Sequence, residues 1–349
     1  MKVLALNSSP RSGGLSKTEL LLTHFVKGLR QAGAEVEVVN LRQKKINFCS
    51  GCYTCWTKTP GVCVHKDDMA LELFPKWQQA DIVVYASPLY HYLVNAQMKA
   101  FIERTLPVLM PFLEVAGDTT THPVRGKRPA SVLISVAGFP ELSVFDQLSF
   151  WAKKVMGKGL LAEIYRPAAE AVANSGKMAD ILAAMEQAGA EIARDRVVSA
   201  ATMARIQQPL TDRATMTSTA NLMWKSLIDR GITPAEAARS GSYAIRPDSI
   251  ESLMAMLNFA FNPARAGDKN GVLQFNFFGE PSGNAYLTIQ NGTCELSAGK
   301  AEAPACTIDT PFGAWADIVS GEADGAKSLM DGKYKASGDI SLMMVFGNK

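Results

Sequence analysis

Residues 3–6 are an unbroken apolar run, Val-Leu-Ala-Leu, as are residues 82–85, and apolar-rich segments broken by one or two polar residues return at 36–39, 131–136 and 160–165. Such runs spare no face for water, which marks strands buried on both sides of a parallel sheet. Between them the period changes. Residues 16–31 place Leu20, Leu21, Phe25 and Leu29 close to helical spacing and close at Gly33, and another helix starts at 97–104. Alternating strand and helix predicts an α/β domain with a doubly wound, five-stranded parallel sheet and right-handed crossovers. Residues 170–240 read as mostly helical, with an alanine-rich amphipathic stretch at 178–192 and another carrying Leu222, Trp224 and Leu227.

The pattern then shifts to α+β. Thr233-Pro-Ala-Glu236 is a helix start and Ser240-Gly-Ser242 is punctuation. The boundary falls there, giving domains at 1–200 and 245–349 with 201–244 as helical extension or linker. Ile250, Leu253, Met254, Leu257 and Phe261 form one apolar helix stripe, and 272–278 and 285–289 alternate as half-buried antiparallel strands. Phe312, Trp315, Ile318 and Val319 line a further helix ended by Gly321; 323–330 forms another, and 333–345 closes as a last strand.

At 349 residues the chain is long enough for two cores. Its net charge of +3 is unevenly spread: residues 1–244 carry 28 basic and 21 acidic side chains, residues 245–349 carry 8 and 12. The excess is too diffuse for a nucleic-acid footprint and suits phosphate-bearing ligands. No run reaches transmembrane length, and residues 3–6 are far too short for a secretory signal, so a cytoplasmic location is expected.

Four cysteines fall within fifteen residues, in the spacing Cys49-x2-Cys52-x2-Cys55-x7-Cys63. Three thiols at two-residue gaps with a fourth beyond can wrap an iron–sulfur cubane, since each thiolate must reach a different corner. A structural zinc uses the same ligands but favours two separated Cys-x2-Cys pairs, and a disulfide or idle thiols remain open. A reducing compartment weighs against the disulfide. Cys294 and Cys306 lie in separate strand-like segments and read as buried thiols.

In a doubly wound sheet the ligand sits beyond the carboxyl ends of the strands. The first such loop offers Ser9, Ser16 and Thr18 hydroxyls and the free amides of a helix N-terminus, suited to a phosphate dianion. Ser16 with Glu19 equally makes a capping box. The loop lacks both the dinucleotide glycine fingerprint and the P-loop ending, which favours a monophosphate. The second loop, residues 87–92, is a proline-stiffened turn where Tyr90 or Tyr92 can stack on a planar ring. The third, residues 137–140, is small enough to pass beneath one.

The Ser-Pro-Arg of the first loop, the cysteine run followed by Asp67-Asp68-Met69, and Ser-Pro-Leu-Tyr leading to Glu103-Arg104 together resemble the NAD(P)H-dependent FMN reductases of the flavodoxin-like superfamily, and among them the iron–sulfur flavoproteins. The resemblance covers about residues 1–200. It implies that Ser9, Arg11, Ser16, Lys17 and Thr18 surround an FMN phosphate. Pro88, Leu89, Tyr90 and His91 with Ala137, Gly138 and Phe139 would line the isoalloxazine, and Cys49, Cys52, Cys55 and Cys63 would hold a 4Fe-4S cluster. NAD(P)H or a reduced carrier protein would be the donor, and a homo-oligomer is implied. His91 is the candidate proton donor to a reduced acceptor, against a loop histidine with a structural hydrogen bond.

The segment from Ser320-Gly321 to Gly338-Asp339 resembles the sterol-carrier-protein fold over about residues 245–349, with Gly321, Ala326, Gly332, Lys333, Gly338 and Asp339 in structural roles. That implies an apolar tunnel for a lipid, quinone or acyl ligand. Met254, Met256, Met330, Met343 and Met344 would line it or simply fill the core. The expected function is an FMN oxidoreductase passing electrons to an acceptor held by the second module. The competing expectations are a lipid-binding protein with a redox-sensing domain and an FMN quinone or azo-type reductase with idle cysteines.

Overall fold

The five apolar runs become five parallel strands in a computed structural model that describes residues 1–239 and 245–346. The punctuation at Ser240 and Ser242 lies outside the described residues. Two units divide the chain: 1–170 with 180–208, and 171–179 with 209–349.

In the first unit, β1 (Lys2–Asn7), β2 (Glu35–Asn40), β3 (Ile82–Tyr90), β7 (Ala130–Val136) and β8 (Leu160–Arg166) form a sheet in the order β2-β1-β3-β7-β8. Every pair along that path is parallel. This is the flavodoxin-like order, with its switch point between β1 and β3. The short β4 (Leu93–Val94) folds back on β3, and β5 (Glu114–Ala116) with β6 (Thr119–Thr121) makes a separate hairpin. Successive strand residues face opposite ways, so Leu4, Leu6, Val83, Tyr85 and Leu133 share one core. That core also takes Trp77 from α2 (Phe74–Gln79), Phe101 from α3 (Ala96–Glu103) and Leu148 from α4 (Asp146–Met156).

Helix α1 (Lys17–Gln31) covers the opposite face, backed by α5 (Met178–Asp195), while α6 (Ala200–Gln207) follows α5. α1 and α5 touch backbone to backbone. A Cβ at Gly28 would lie 1.8 Å from the Glu186 carbonyl oxygen, and one at Gly189 would lie 2.0 Å from that of Phe25. Only glycine permits that crossing. The buried Arg166 at the end of β8 donates to the carbonyls of Ile206 and Gln208 at 2.8 and 2.7 Å, so the carbonyl end of α6 meets a cation.

The second unit contains α7 (Arg213–Asp229), α8 (Pro234–Arg239), α9 (Ile250–Ala260) and α10 (Pro263–Ala266). Its sheet runs β11-β10-β9-β12-β13, formed by β9 (Gly271–Phe278), β10 (Gly283–Gln290), β11 (Thr293–Ala298), β12 (Cys306–Pro311) and β13 (Lys335–Gly338). β12 is parallel to β9 and the remaining pairs are antiparallel. Helices α11 (Phe312–Val319) and α12 (Gly325–Met330) complete it. Leu253, Met254, Leu257, Phe275, Trp315 and Tyr334 make its core.

Two sequence expectations need correction here. The single closing strand is a short β13 followed by a 3-10 turn over Ile340–Val345, because the Asp339 carboxylate caps the Ser341 amide at 2.9 Å. The methionines do not line one pocket: Met254 is fully buried, whereas Met330 and Met344 are 80% and 68% exposed. Among the described residues, no helix is long and apolar enough to cross a membrane.

Candidate functional site

The loops after β1, β3 and β7 all open at the carboxyl edge of the sheet, on either side of the switch point. After β1 the chain turns through Gly13 and Gly14, with φ of 64° and 82° and nothing within 4 Å of where a Cβ would stand. Ser9, Ser16 and Thr18 are buried along the rim of this open cradle. Ser16 caps α1, its hydroxyl accepting from the Glu19 amide at 3.0 Å. The hydroxyls and amides present there fit a phosphate dianion.

The second loop departs from expectation. β3 stays extended through Pro88 to Tyr90, and Leu89 and Tyr90 then pair with Val94 and Leu93. His91 and Tyr92 are the two turn residues, at φ of 47° and 63°. Left-handed φ at both central positions is the type I′ geometry that matches strand twist, and side chains there are strained. The turn displays His91 and leaves Tyr90 and Tyr92 half exposed. After β7, Ala137 is buried, Gly138 is exposed and Phe139 is 59% exposed. The Phe139 carbonyl is fixed by the Ala168 amide at 2.7 Å, and that of Ala137 by Ala169 at 2.9 Å.

These loops are tied to one another. The buried Asn95, N-cap of α3, donates from Nδ2 to the Ser8 carbonyl at 2.6 Å, and its own amide donates to Ser87 Oγ at 3.0 Å. Ser8 in turn donates its amide to the Ala86 carbonyl at 2.9 Å. One side chain thus registers the loop after β1 against the aromatic hairpin. Its sequence signal was the Asn before a helix start. Arg42 is another group that sequence reading missed. It donates toward the Ser9 carbonyl at 3.5 Å and pairs with Glu19, whereas Arg11 reaches out to Glu170.

The cysteines sit on the long connection between β2 and α2. Gly51 and Tyr53 flank Cys52 with φ of 64° and 53°, and the Gly61 amide donates to the Cys55 carbonyl at 2.9 Å, curling the chain back on itself. Cys49, Cys52, Cys55 and Cys63 line one cavity of about 20 Å³ together with His65 and Arg104. All are free thiols. Hydrogen bonds from the Thr54 side chain and backbone, then from Ser50, draw the exposed Cys52 thiol down to about 7. Burial, then the neighbouring Cys63, pushes Cys55 upward.

Among the described residues, no three of His, Cys, Asp and Glu are gathered to close on a single metal ion. A tetrahedral zinc needs Zn–S of about 2.3 Å, hence thiols about 4 Å apart. The chemistry of the donor set, though not its present spacing, suits a larger sulfur-rich anionic group. Four thiols face one space, and Arg104 Nε and His65 Nε2 are buried without a partner. Loading them requires the loop to widen beyond its present cavity. Tyr53 packs against Trp56 and Trp56 against His122 as tilted ring pairs, with centroids 5.1 and 5.0 Å apart.

Residues 1–149 match the family model of NADPH-dependent FMN reductases, and residues 261–348 that of the SCP-2 sterol transfer family. An iron-sulfur flavoprotein of Archaeoglobus fulgidus is 46% identical over 108 residues, which are 31% of this chain and 46% of that protein. One of Methanocaldococcus jannaschii is 37% identical over 109 residues, 31% of this chain and 52% of the relative. The chain thus spans about half the length of these curated relatives. An FMN-dependent NADH:quinone oxidoreductase of Bordetella bronchiseptica is 26% identical over 56% of this chain and 93% of its own length. The segment that holds the parallel β2-β1-β3-β7-β8 sheet is thus similar to the NADPH-dependent FMN reductases, and the segment that holds the five-stranded α+β sheet is similar to the SCP-2 sterol transfer family.

Proposed function

We propose that the chain is an FMN-dependent oxidoreductase taking electrons from NAD(P)H or a reduced carrier. The observation that carries this reading is the hydrogen-bonded joining, through Asn95 and Ser8, of an open loop with buried hydroxyls to an aromatic hairpin at the switch point. Bound FMN would supply acceptance of a hydride and release of its electrons one at a time. The chain's own residues bind and orient. Ser9, Ser16 and Thr18, with Lys17 and Arg42 nearby, would hold the phosphate. Pro88, Leu89, Tyr90, Ala137, Gly138 and Phe139 would frame the ring, and the exposed His91 would hand a proton to the acceptor. Cys49, Cys52, Cys55 and Cys63 would hold a 4Fe-4S cluster, in line with the names of two relatives that match about a third of this chain.

The C-terminal unit, by its family, would hold an apolar acceptor such as a lipid, quinone or acyl compound. A reducing, cytoplasmic setting suits six free thiols. A second reading, FMN quinone reduction without a cluster, is favoured by the narrow thiol cavity and by the quinone oxidoreductase matched along most of its length. Anaerobic titration tests both. The proposal expects FMN to bind with one site per chain, NADH or NADPH to bleach it, and iron and sulfide in equal amounts near four per chain. A flavin that binds but is not bleached by either nucleotide or by a reduced ferredoxin overturns the enzyme reading. Bleaching without iron selects the second reading.

A further inference from the structure

The thiol loop is closed at its base by one buried ion pair. Asn47 stands just before Cys49 and Asp67 just after Cys63, and Arg104, the C-cap residue of α3, joins them. Arg104 Nη1 and Nη2 donate to the two Asp67 carboxylate oxygens at 2.9 and 3.0 Å, a planar fork-to-fork pair. Nη1 also donates to the Asn47 carbonyl at 2.7 Å. The same carboxylate accepts the Asn47 amide at 2.8 Å and the Ala70 amide at 3.1 Å. A second rung lies beside it: Lys45 and Asp68 exchange bonds at 2.7 and 3.1 Å.

Both side chains of the pair are withdrawn from water, with exposures of 1% and 0%. Burying two charges is tolerated only where the remaining acceptors are filled, and here each carboxylate oxygen takes two donors. The pair therefore fixes both ends of a loop that otherwise has few bonds to the rest of the unit. Arg104 lines the cavity of the four thiols, and its guanidinium lies beside the Cys63 sulfur. Its Nε has no partner.

We propose that Arg104 is a positioning residue for the thiol loop: locked by Asp67, it pins Asn47 and Asp67 together, holds Cys63 against Cys49 and Cys55, and sets a fixed positive charge beside the anionic group the thiols take. This rests on reading the four cysteines as one ligand set. The loop can then widen above a base that does not move.

The test uses the full FMN-loaded chain, reduced and free of iron, treated with dibromobimane, which fluoresces once both arms are attached to thiols. Cross-links that include Cys63 are identified by peptide mass. Wild type should give them in good yield. R104K keeps a charge but has no planar fork, and its yield should fall about fivefold, the change that losing one net hydrogen bond permits. The double variant D67N/R104Q, which leaves no unpaired charge, should fall as far while FMN affinity stays within about twofold of wild type. Unchanged Cys63 cross-linking in the double variant overturns the proposal. So does a loss of cross-links matched by loss of FMN, since the pair would then be a general prop of the fold. Iron and sulfide uptake is read on the same preparations: a wild-type chain that takes up none removes the cluster reading, and the cross-link comparison still decides the role of Arg104.

Discussion

Asp67→Asn removes one charge from the base of the thiol loop and changes almost nothing in shape. Burial would raise the Asp67 carboxyl, but the Arg104 fork and the Asn47 and Ala70 amides outweigh it and hold the group at about 2, against 3.8 ordinarily. A carboxyl depressed on folding stabilises the native state above its unfolded value, and that stability is lost as pH falls toward the folded value. The window is thus pH 4 down to 2, and the drop from 3.8 to about 2 is worth about 2.5 kcal/mol. The asparagine leaves Arg104 buried without its counter-charge, which costs about 3–5 kcal/mol at pH 7. Hydrogen exchange at the amides of β1 and β3 in increasing urea reports this unit alone. The variant should be less stable by that amount at pH 7, and the gap should shrink to about 1–3 kcal/mol near pH 2, where about half of the wild-type Asp67 carboxyls are protonated. A gap below about 1 kcal/mol at pH 7, or one that stays constant through the acid range, refutes the reasoning.

Gly189→Ala should destabilise the first unit by about 2–3 kcal/mol despite alanine's better helix propensity, because a Cβ 2.0 Å from the Phe25 carbonyl oxygen forces α1 and α5 apart; thermal unfolding that is unchanged or raised would contradict this. Asn95→Ala removes an N-cap and a buried bond to Ser8, so stability should fall by about 1–2 kcal/mol and FMN affinity by about tenfold; fluorescence titration showing full affinity would separate the cradle from α3. His91→Asn keeps a residue that tolerates φ of 47° while deleting the proton. Acceptor turnover should drop and its pH profile flatten, and turnover identical to wild type at every pH removes His91 from the chemistry.

The central strands β1, β3 and β7 were legible because they are apolar and buried on both faces, the edge strands β2 and β8 because valine- or leucine-rich segments recur between helical ones, and the loops beyond them follow from the order of the sheet. Pro88 misled. It reads as a strand end, yet it stands in register with Val136 where the ladder to β7 gives out, so its missing amide leaves no bond unmade. Beyond it Leu89 and Tyr90 find a new partner in β4, and the expected loop is a tight hairpin. In the first loop the Ser9, Ser16 and Thr18 hydroxyls are buried as one group, whereas the expected cation Arg11 is drawn away by Glu170 and Arg42 arrives from another strand end. Arg104 and Asp67 are 37 residues apart, and nothing in their local spacing announces a pair. In the second unit the period-2 pattern found β9 and β10; β12 was only strand-like, because its parallel pairing with β9 depends on a crossover rather than on a turn signal.

The two candidate centres share one rigid element. α3 begins at Asn95, bonded to Ser8 and Ser87 of the proposed flavin loops, and ends at Arg104, bonded to both ends of the thiol loop. Its eight residues span about 12 Å at 1.5 Å per residue. Met98 and Phe101, fully buried beneath it, prevent it from rolling. A helix fixed at both ends and along one face cannot lengthen, so the offset between cradle and thiols is set by the sheet and not by the flexible connection that carries the cysteines. The run from the second loop into Glu103-Arg104 therefore joins the two centres physically: it is the strut between them, and the cysteine motif needs Arg104 at the far end of that strut to be held in place.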